Sequence, residues 1–194
     1  MRPLAVHAWP GALPGPGDGL ILIRLATDGE RERARVQVRL ALRQVLCEWL
    51  ALRSDQIALT STPGQAPRLV LNGERVAGLS ISHEAGLSLA AINLHGRIGV
   101  DLMRVPEPDD VDDLNDLMTL ARDYLGPAQA VALACVAPGM RRMAFAKAWA
   151  AHEASLKCRG LALAEWRSAP PMAALRIATL DLPEPFVGAV ATPV

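Results

Sequence analysis

Two acidic residues in distant parts of the chain, Asp101 and Glu153, are the side chains best suited to chemistry. Asp101 follows the apolar run 98–100, so we expect it at the end of a largely buried strand. A carboxylate in such a place is costly unless it is paired or binds a cation. Two carboxylates supply the hard oxygen ligands that suit Mg²⁺, whose shell is commonly completed by water and phosphate. The pair therefore indicates a magnesium site beside a phosphate group.

Glu153 lies in a sequence that predicts a long helix over about 140–159, ended by Gly160. Trp149, Glu153 and Lys157 are four residues apart and share one face of it. A purely structural interpretation is available, because a Glu–Lys pair in this direction stabilises a helix by about 0.3–0.5 kcal/mol. Lys157 and Lys147 are the only two lysines of the chain, and the presence of Asp101 favours a functional interpretation for the shared face.

Basic residues recur on a second predicted helix, over about 30–52, for which Thr27 and Asp28 offer an N-cap. A set of four arginines repeats there at every fourth residue, so its members lie along one side: Arg31, Arg35, Arg39 and Arg43. They form either a solvated face or a ridge that faces phosphate. His83, expected on a turn over residues 83–86, is either a surface histidine or a phosphate donor.

Composition limits the classes of protein to which the chain can belong. Its 194 residues fit one domain or two small lobes, and a hydrophobic fraction of 51% is enough for a packed interior. The formal net charge is zero, so no overall field favours nucleic acid. No apolar run approaches the roughly 20 residues that span a membrane. Three cysteines without paired spacing fit reduced thiols, and we expect a cytoplasmic protein.

Further elements are predicted from apolar runs and turn residues. A strand GLILIRLA precedes the arginine helix, and three strands, LSIS, LSLAAIN and RIGVDLM, follow it. The acidic segment EPDDVDDLNDL is expected to begin a helix, and a short helix is expected over about 127–136. A strand pair ends the chain, and its strand FVGAVAT is similar to LSLAAIN, which hints at two related lobes.

Three motifs, in order, resemble one enzyme family. They are SISHEAG, then GVDLM, then FAKAWAAHEASLKCRGLAL. Together they look like the surfactin-synthetase-activating type of the 4'-phosphopantetheinyl transferase superfamily. VRLALRQVL is similar to the arginine helix of that family's first lobe, PRL to its proline turn, and FVGAVA to its closing strand. The resemblance covers most of the chain from about residue 30 onward.

The resemblance implies an α+β fold of two similar, pseudo-symmetric lobes, each with a small three-stranded antiparallel sheet and a long helix. We expect a single transferase domain, with lobes over residues 1–97 and 98–194 and coenzyme A between them. The implied reaction moves the 4'-phosphopantetheine arm of coenzyme A to a serine of an apo acyl, peptidyl or aryl carrier protein. It releases 3',5'-ADP, depends on Mg²⁺, and needs neither nucleic acid nor a membrane. A monomer is expected, serving fatty-acid, polyketide or nonribosomal peptide synthesis.

The resemblance also implies residue roles. Asp101 and Glu153 would hold Mg²⁺ on the pyrophosphate, and Glu153 would also accept the proton of the carrier serine. Residues implied to contact coenzyme A are Ser82, His83, Arg39, Arg43, Arg68 and Lys157, with Arg39 favoured for the 3'-phosphate and Lys157 for the phosphates nearest the reaction.

Three positions depart from the family pattern. His152 stands where lysine is usual, and we expect it to point towards the pyrophosphate and to take a catalytic role, with phosphate raising its pKa. Met103 stands where many bacterial members have a third acid, and Gln129 where glutamate is usual. An alternative function follows from these departures. The chain would then bind coenzyme A or a carrier protein with weak or no transfer.

Overall fold

The computed structural model of the protein describes residues 2–60, 66–107, 114–167 and 174–194. Its strands, in chain order, are β1 (His7–Ala8), β2 (Leu20–Ala26), β3 (Ile57–Thr60), β4 (Arg68–Leu71), β5 (Arg75–Glu84), β6 (Leu87–Asn93), β7 (Gly99–Arg104), β8 (Leu175–Thr179) and β9 (Phe186–Pro193). Its α-helices are α1 (Arg31–Leu50), α2 (Leu114–Leu120), α3 (Pro127–Ala134) and α4 (Arg141–Arg159). Within these ranges, no helix combines the length and apolarity that a membrane crossing needs.

The strands form two sheets, and with the helices they confirm the predicted α+β class. The first sheet has the order β1-β2-β6-β5-β4-β3, and the second has the order β7-β9-β8. Each contains an antiparallel triplet, centred on β6 in the first and on β9 in the second. These are the two strands whose sequences resemble each other. The expected first sheet of three strands was wrong, because β1 adds in parallel to β2 and the β3–β4 hairpin adds to β5.

The apolar residues define a layered packing order. One cluster fills the space between α1 and the first sheet, and it includes Val38 and Leu42 from the helix. A second cluster lies between the two sheets and contains Val100 and Leu102 of β7. Alternate residues of a strand point to opposite faces. Asp101, between these two, therefore faces α4 rather than the space between the sheets.

Helix α4 packs unusually close to β7 because small residues line the contact. Ala150 and Ala154 are fully buried against the second sheet. A Cβ atom at Gly99 would collide with the backbone of Ala154 and Cys158. Helix and strand are therefore nearly in backbone contact, and this contact fixes where the side chains of α4 stand relative to Asp101. The predicted end of the helix is confirmed, because Gly160 adopts a left-handed conformation with φ 71°.

Two local predictions were wrong. Neither Thr27 nor Asp28 is the N-cap of α1, which is Glu30 without a side-chain cap; the Thr27 hydroxyl bonds to Ser88 instead. His83 lies within β5, not on a turn, because that strand continues to Glu84. Of the acidic segment expected to begin a helix, residues 108–113 lie outside the described residues.

We expect Gly99→Ala to lower the free energy of unfolding by at least about 1–3 kcal/mol, because the new methyl group meets backbone atoms that cannot rotate aside. Urea unfolding, followed by circular dichroism, measures this loss. Gly139→Ala is the matched control, since no heavy atom lies within 4 Å of the position its methyl group would take. Equal unfolding midpoints for the two variants would contradict the close helix–strand contact.

Candidate functional site

A cavity of about 590 Å³ opens where α1, β5, β7 and α4 meet. It contains both acidic and basic groups, so different parts of its wall suit cations and anions. The residues that line it are Arg31, Glu32, Arg35, Arg39, Leu59, Pro67, Ile81, Ser82, His83, Glu84, Asp101, Leu102, Met103, Trp149, Glu153 and Lys157.

The most constrained group in the cavity is the carboxylate of Asp101, a residue only 6% exposed. Its Oδ1 atom accepts a hydrogen bond from the Ser82 hydroxyl at 2.8 Å and from Lys157 Nζ at 2.6 Å. Lys157 Nζ also lies 3.3 Å from Ser82 Oγ. Strand β5, strand β7 and helix α4 each contribute one member, so the cluster joins three elements. The sequence predicted Asp101 at the end of a strand, but Asp101 lies inside β7.

Glu153 stands one helical turn before Lys157 and lines the same cavity. Burial raises the pKa of its carboxyl group, and the negative charge of Asp101 raises it further, while Lys157 acts in the opposite direction. Trp149, one turn earlier, lines the cavity too and packs edge-on against Tyr124, with ring centroids 5.7 Å apart. The predicted common face of α4 is therefore confirmed, and it faces Asp101.

A second half-buried glutamate, Glu84 at the end of β5, also lines the cavity. Burial raises its pKa, a backbone N–H bond from Arg104 lowers it, and the charge of Asp101 raises it again. No sequence pattern predicted a role for this residue. Its position beside the Ser-His pair was the available signal.

Three of the four arginines that repeat along α1 form the basic wall of the cavity: Arg31, Arg35 and Arg39. Arg35 is paired with Glu32, whereas Arg39 has no hydrogen bond or ion pair within the described part of the chain. Arg43 does not reach the cavity, because its guanidinium donates to the backbone oxygens of Ser54 and Ile57 at 3.0 and 3.1 Å. It therefore holds the end of α1 to the start of β3.

Arg68 is also outside the main cavity. It lines a neighbouring cavity of about 380 Å³, together with Arg97 and Lys157. Lys157 and Pro67 line both cavities, so the two spaces adjoin.

His83 faces the arginine side of β5, opposite to Ser82, because successive strand residues alternate. Its Nδ1 atom lies 2.8 Å from the Ser88 hydroxyl. Burial and, after it, the charges of Arg35, Arg31, Lys157 and Arg39 together lower the pKa of His83 to about 4. In the protein without ligand, the imidazole is therefore neutral at pH 7.

His152 does not line the cavity, although its place in the motif predicted a position towards the phosphates. Its Nε2 atom is buried and has no hydrogen-bond partner among the residues that the structure describes. Burial lowers the pKa of His152, and the charge of Arg159 lowers it further. The expected rise in this pKa with phosphate nearby stays a prediction, but because His152 does not line the cavity we give it no role in the proposed mechanism. Lys147 is exposed and also stands apart.

Serine hydroxyls that the sequence analysis did not single out complete the site. Ser80 Oγ accepts a hydrogen bond from the backbone N–H of Val100 at 2.9 Å and so ties β7 to β5. Ser88, fully buried, connects His83 to Thr27. The alternation of Ser80 and Ser82 along β5 was the signal for a polar face. Nothing in the sequence indicated the pairing of residue 88 with residue 83.

The donor set fits Mg²⁺, because Asp101 and Glu153 are two carboxylates on one cavity and the charge of Asp101 raises the pKa of Glu153. Within the described ranges no group of three His, Cys, Asp or Glu side chains is arranged to hold a metal. Water and ligand phosphate would therefore complete the shell. Beside this pair stand a lysine, a neutral histidine and three arginines, which suit a ligand with several phosphate groups.

Comparison with known proteins agrees with this chemistry. Residues 97–188 match the model of the 4'-phosphopantetheinyl transferase superfamily. The chain is also 30% identical, over 124 residues, to a protein of Synechocystis sp. (strain PCC 6803) described as a candidate 4'-phosphopantetheinyl transferase. That match covers 63% of this chain and 48% of the relative, so the chain spans about half the length of that protein.

We expect the Cε1 proton of His83 to keep one NMR chemical shift from pH 8 to pH 5 and to titrate near pH 4. A pKa below the unfolded value of about 6.5 means that His83 contributes stability above that pH and loses it as the pH falls towards 4. Arg35→Gln should raise the pKa of His83, because it removes the largest of the charges that lower it. Arg33→Gln, on the same helix but paired with Glu30, is the control. A His83 titration near pH 6.5 would contradict the burial of this imidazole.

Proposed function

We propose that this chain, whose residues 97–188 match the model of the 4'-phosphopantetheinyl transferase superfamily, transfers the phosphopantetheine arm of coenzyme A to a serine of an apo carrier protein. The products are the holo carrier protein and 3',5'-ADP. We propose that it acts as a monomer, as the family resemblance implies. Its three cysteines are free, as a reducing compartment such as the cytoplasm would keep them.

One observation carries this proposal: the cluster of Ser82, Asp101 and Lys157 lies in the same cavity as the basic wall of α1. A cation site on carboxylates next to an anion site on arginines matches a substrate that brings a metal-bound pyrophosphate and a separate 3'-phosphate. A surface with basic residues alone would suit any polyanion. The buried carboxylate is what makes the site specific for a metal–phosphate complex.

Asp101 and Glu153 would hold Mg²⁺, which, when bound, offsets negative charge on the pyrophosphate during transfer. The rest of the chemistry belongs to this chain's own side chains. Lys157 lines the cavity, and in the protein without ligand its Nζ atom donates a hydrogen bond to Asp101. We expect it to turn to the phosphate oxygens once a metal occupies the carboxylates. His83 would donate one hydrogen bond to the same phosphates.

Transfer requires a serine oxygen that has lost its proton, because the hydroxyl alone is a weak nucleophile. Glu153 is the proposed acceptor of that proton. Its raised pKa makes it a stronger base than an exposed glutamate. The serine oxygen then bonds to the phosphorus that carries the pantetheine. The bond from that phosphorus to the bridging oxygen breaks, and 3',5'-ADP leaves with this oxygen and the electron pair.

We expect Glu153→Gln to reduce transfer by roughly 10²–10⁴-fold, because the amide cannot accept the serine proton and is a poorer metal ligand. Asp101→Asn should abolish transfer as well. The measurement is the intact mass of several apo carrier proteins after incubation with the protein, coenzyme A and Mg²⁺. Glu74→Gln, an exposed carboxylate in the β4–β5 turn, is the control and should transfer like the wild type.

The same assay decides against the proposal in two ways. If the wild type binds coenzyme A and no carrier protein gains mass, the chain is a binding protein. If Glu153→Gln transfers like the wild type, the proton acceptor lies elsewhere.

We expect Arg39→Ala to weaken coenzyme A binding about ten- to a hundredfold and dephospho-coenzyme A binding much less, because only the former carries the 3'-phosphate. The loss corresponds to one charge-assisted contact of roughly 1.5–3 kcal/mol. Calorimetry with both ligands measures the difference.

Two neighbouring arginines serve as comparisons. Arg43→Ala should affect both ligands equally, since its guanidinium is used within the fold. If Arg35→Ala, rather than Arg39→Ala, separates the two ligands, the 3'-phosphate site belongs to Arg35.

A further inference from the structure

A chain of hydrogen bonds runs behind His83, on the side away from the cavity. His83 and Ser88 are directly opposite each other in the β5–β6 pair, and His83 Nδ1 lies 2.8 Å from Ser88 Oγ. Ser88 Oγ in turn lies 2.8 Å from Thr27 Oγ1. Ser88 has no exposed surface, so water cannot replace either partner. The Thr27 backbone N–H also donates to the Gly86 oxygen at 3.3 Å, which holds this segment against the β5–β6 turn.

The direction of these hydrogen bonds decides what His83 can offer to a ligand. If Thr27 donates to Ser88 and Ser88 donates to Nδ1, the neutral imidazole carries its proton on Nε2. If the chain runs the other way, the proton is on Nδ1 and Nε2 can only accept. In that second case the Thr27 hydroxyl proton has no acceptor within the described residues. The first direction gives both hydroxyl protons an acceptor inside the fold and leaves only the Nε2–H, on a residue that lines the cavity, for a ligand.

We propose that Ser88 and Thr27 are positioning residues, which fix the His83 imidazole in the Nε2–H form and so present a hydrogen-bond donor to phosphate. The inference rests on the proposed function for the identity of the ligand. It explains how His83 serves an anion while neutral, since a neutral imidazole stabilises phosphate only through the nitrogen that bears its proton. The same hydrogen bonds connect Thr27, in the loop before α1, to β5, the strand that carries His83. Helix α1 is the helix that carries the basic wall.

The first test is made on the free protein and needs no ligand. Long-range proton–nitrogen NMR spectra distinguish a protonated from an unprotonated ring nitrogen. We expect the wild type to show His83 protonated on Nε2, and Ser88→Ala to show a mixture of forms or the Nδ1–H form. Thr27→Val should act in the same direction, and Thr27→Ser, which keeps the hydroxyl, should behave as the wild type. A wild-type imidazole protonated on Nδ1 would overturn the proposal.

The second test measures affinity for 3',5'-ADP and for inorganic pyrophosphate in the presence of Mg²⁺. We expect Ser88→Ala to weaken both about two- to tenfold, the range that corresponds to one ordinary hydrogen bond. In a His83→Ala background, Ser88→Ala should have no further effect, which separates positioning from a general structural loss. Ser155→Ala, which removes another buried hydroxyl that bonds only within α4, is the matched control. Equal losses with and without His83 would overturn the inference.

The two tests keep this inference separate from the proposed function. If the wild type binds neither probe, the proposed function fails, and the NMR measurement alone decides whether Ser88 and Thr27 set the tautomer. If the probes bind and Ser88→Ala changes neither the tautomer nor the affinity, the positioning role is wrong while the proposed function stands.

Discussion

The Asp101 carboxylate is the constraint on which the rest of this structure depends. A charged group inside a strand costs several kcal/mol unless it is compensated. Here the hydroxyl of Ser82 and the ammonium of Lys157 provide the compensation, from two other elements. That requirement brings α4 against β7 and β5 against β7. The small residues Gly99 and Ala154 allow the approach, and Ser80 supplies the partner for the backbone of β7. A cavity with an acidic side and a basic side is the result.

The ion pair of Lys157 with Asp101 and its proposed contact with phosphate exclude each other in time. Without ligand Lys157 neutralises Asp101, whereas the proposed reaction needs Asp101 for a metal and Lys157 for phosphate. A metal on Asp101 would compete with this internal ion pair, and phosphate would offer the lysine a new partner. By thermodynamic linkage, metal and coenzyme should each increase the affinity for the other by the same factor. Cooperation between the two ligands thus follows from a single side chain.

The sequence predicted the acidic and helical parts of the site well. Spacing by four placed Trp149, Glu153 and Lys157 on one face, and an acid after an apolar run pointed to a buried carboxylate. These signals are local, so periodicity is enough to find them. Partners that depend on strand pairing were not predictable in the same way. Residue 88 is opposite residue 83 only because the turn between β5 and β6 is so short. Arg43 has the spacing of the basic wall, yet the backbone oxygens of Ser54 and Ile57 hold its guanidinium away from the cavity.

The register of β5 decides which polar side chains face Asp101 and which face α1. Ser82 and His83 are neighbours in one strand and serve opposite faces, the first towards Asp101 and the second towards the arginines of α1. The same alternation sends Ala77, Leu79 and Ile81 into the core beneath α1. A slip of β5 by one residue would bury Ser80 and Ser82 in that core and expose its apolar residues to β7, at a large cost in free energy. Packing of the hydrophobic core therefore fixes the face of β5 on which each polar side chain lies. A register that exchanged the serine and histidine faces would be disfavoured by the free energy of folding alone, without any contribution from a ligand.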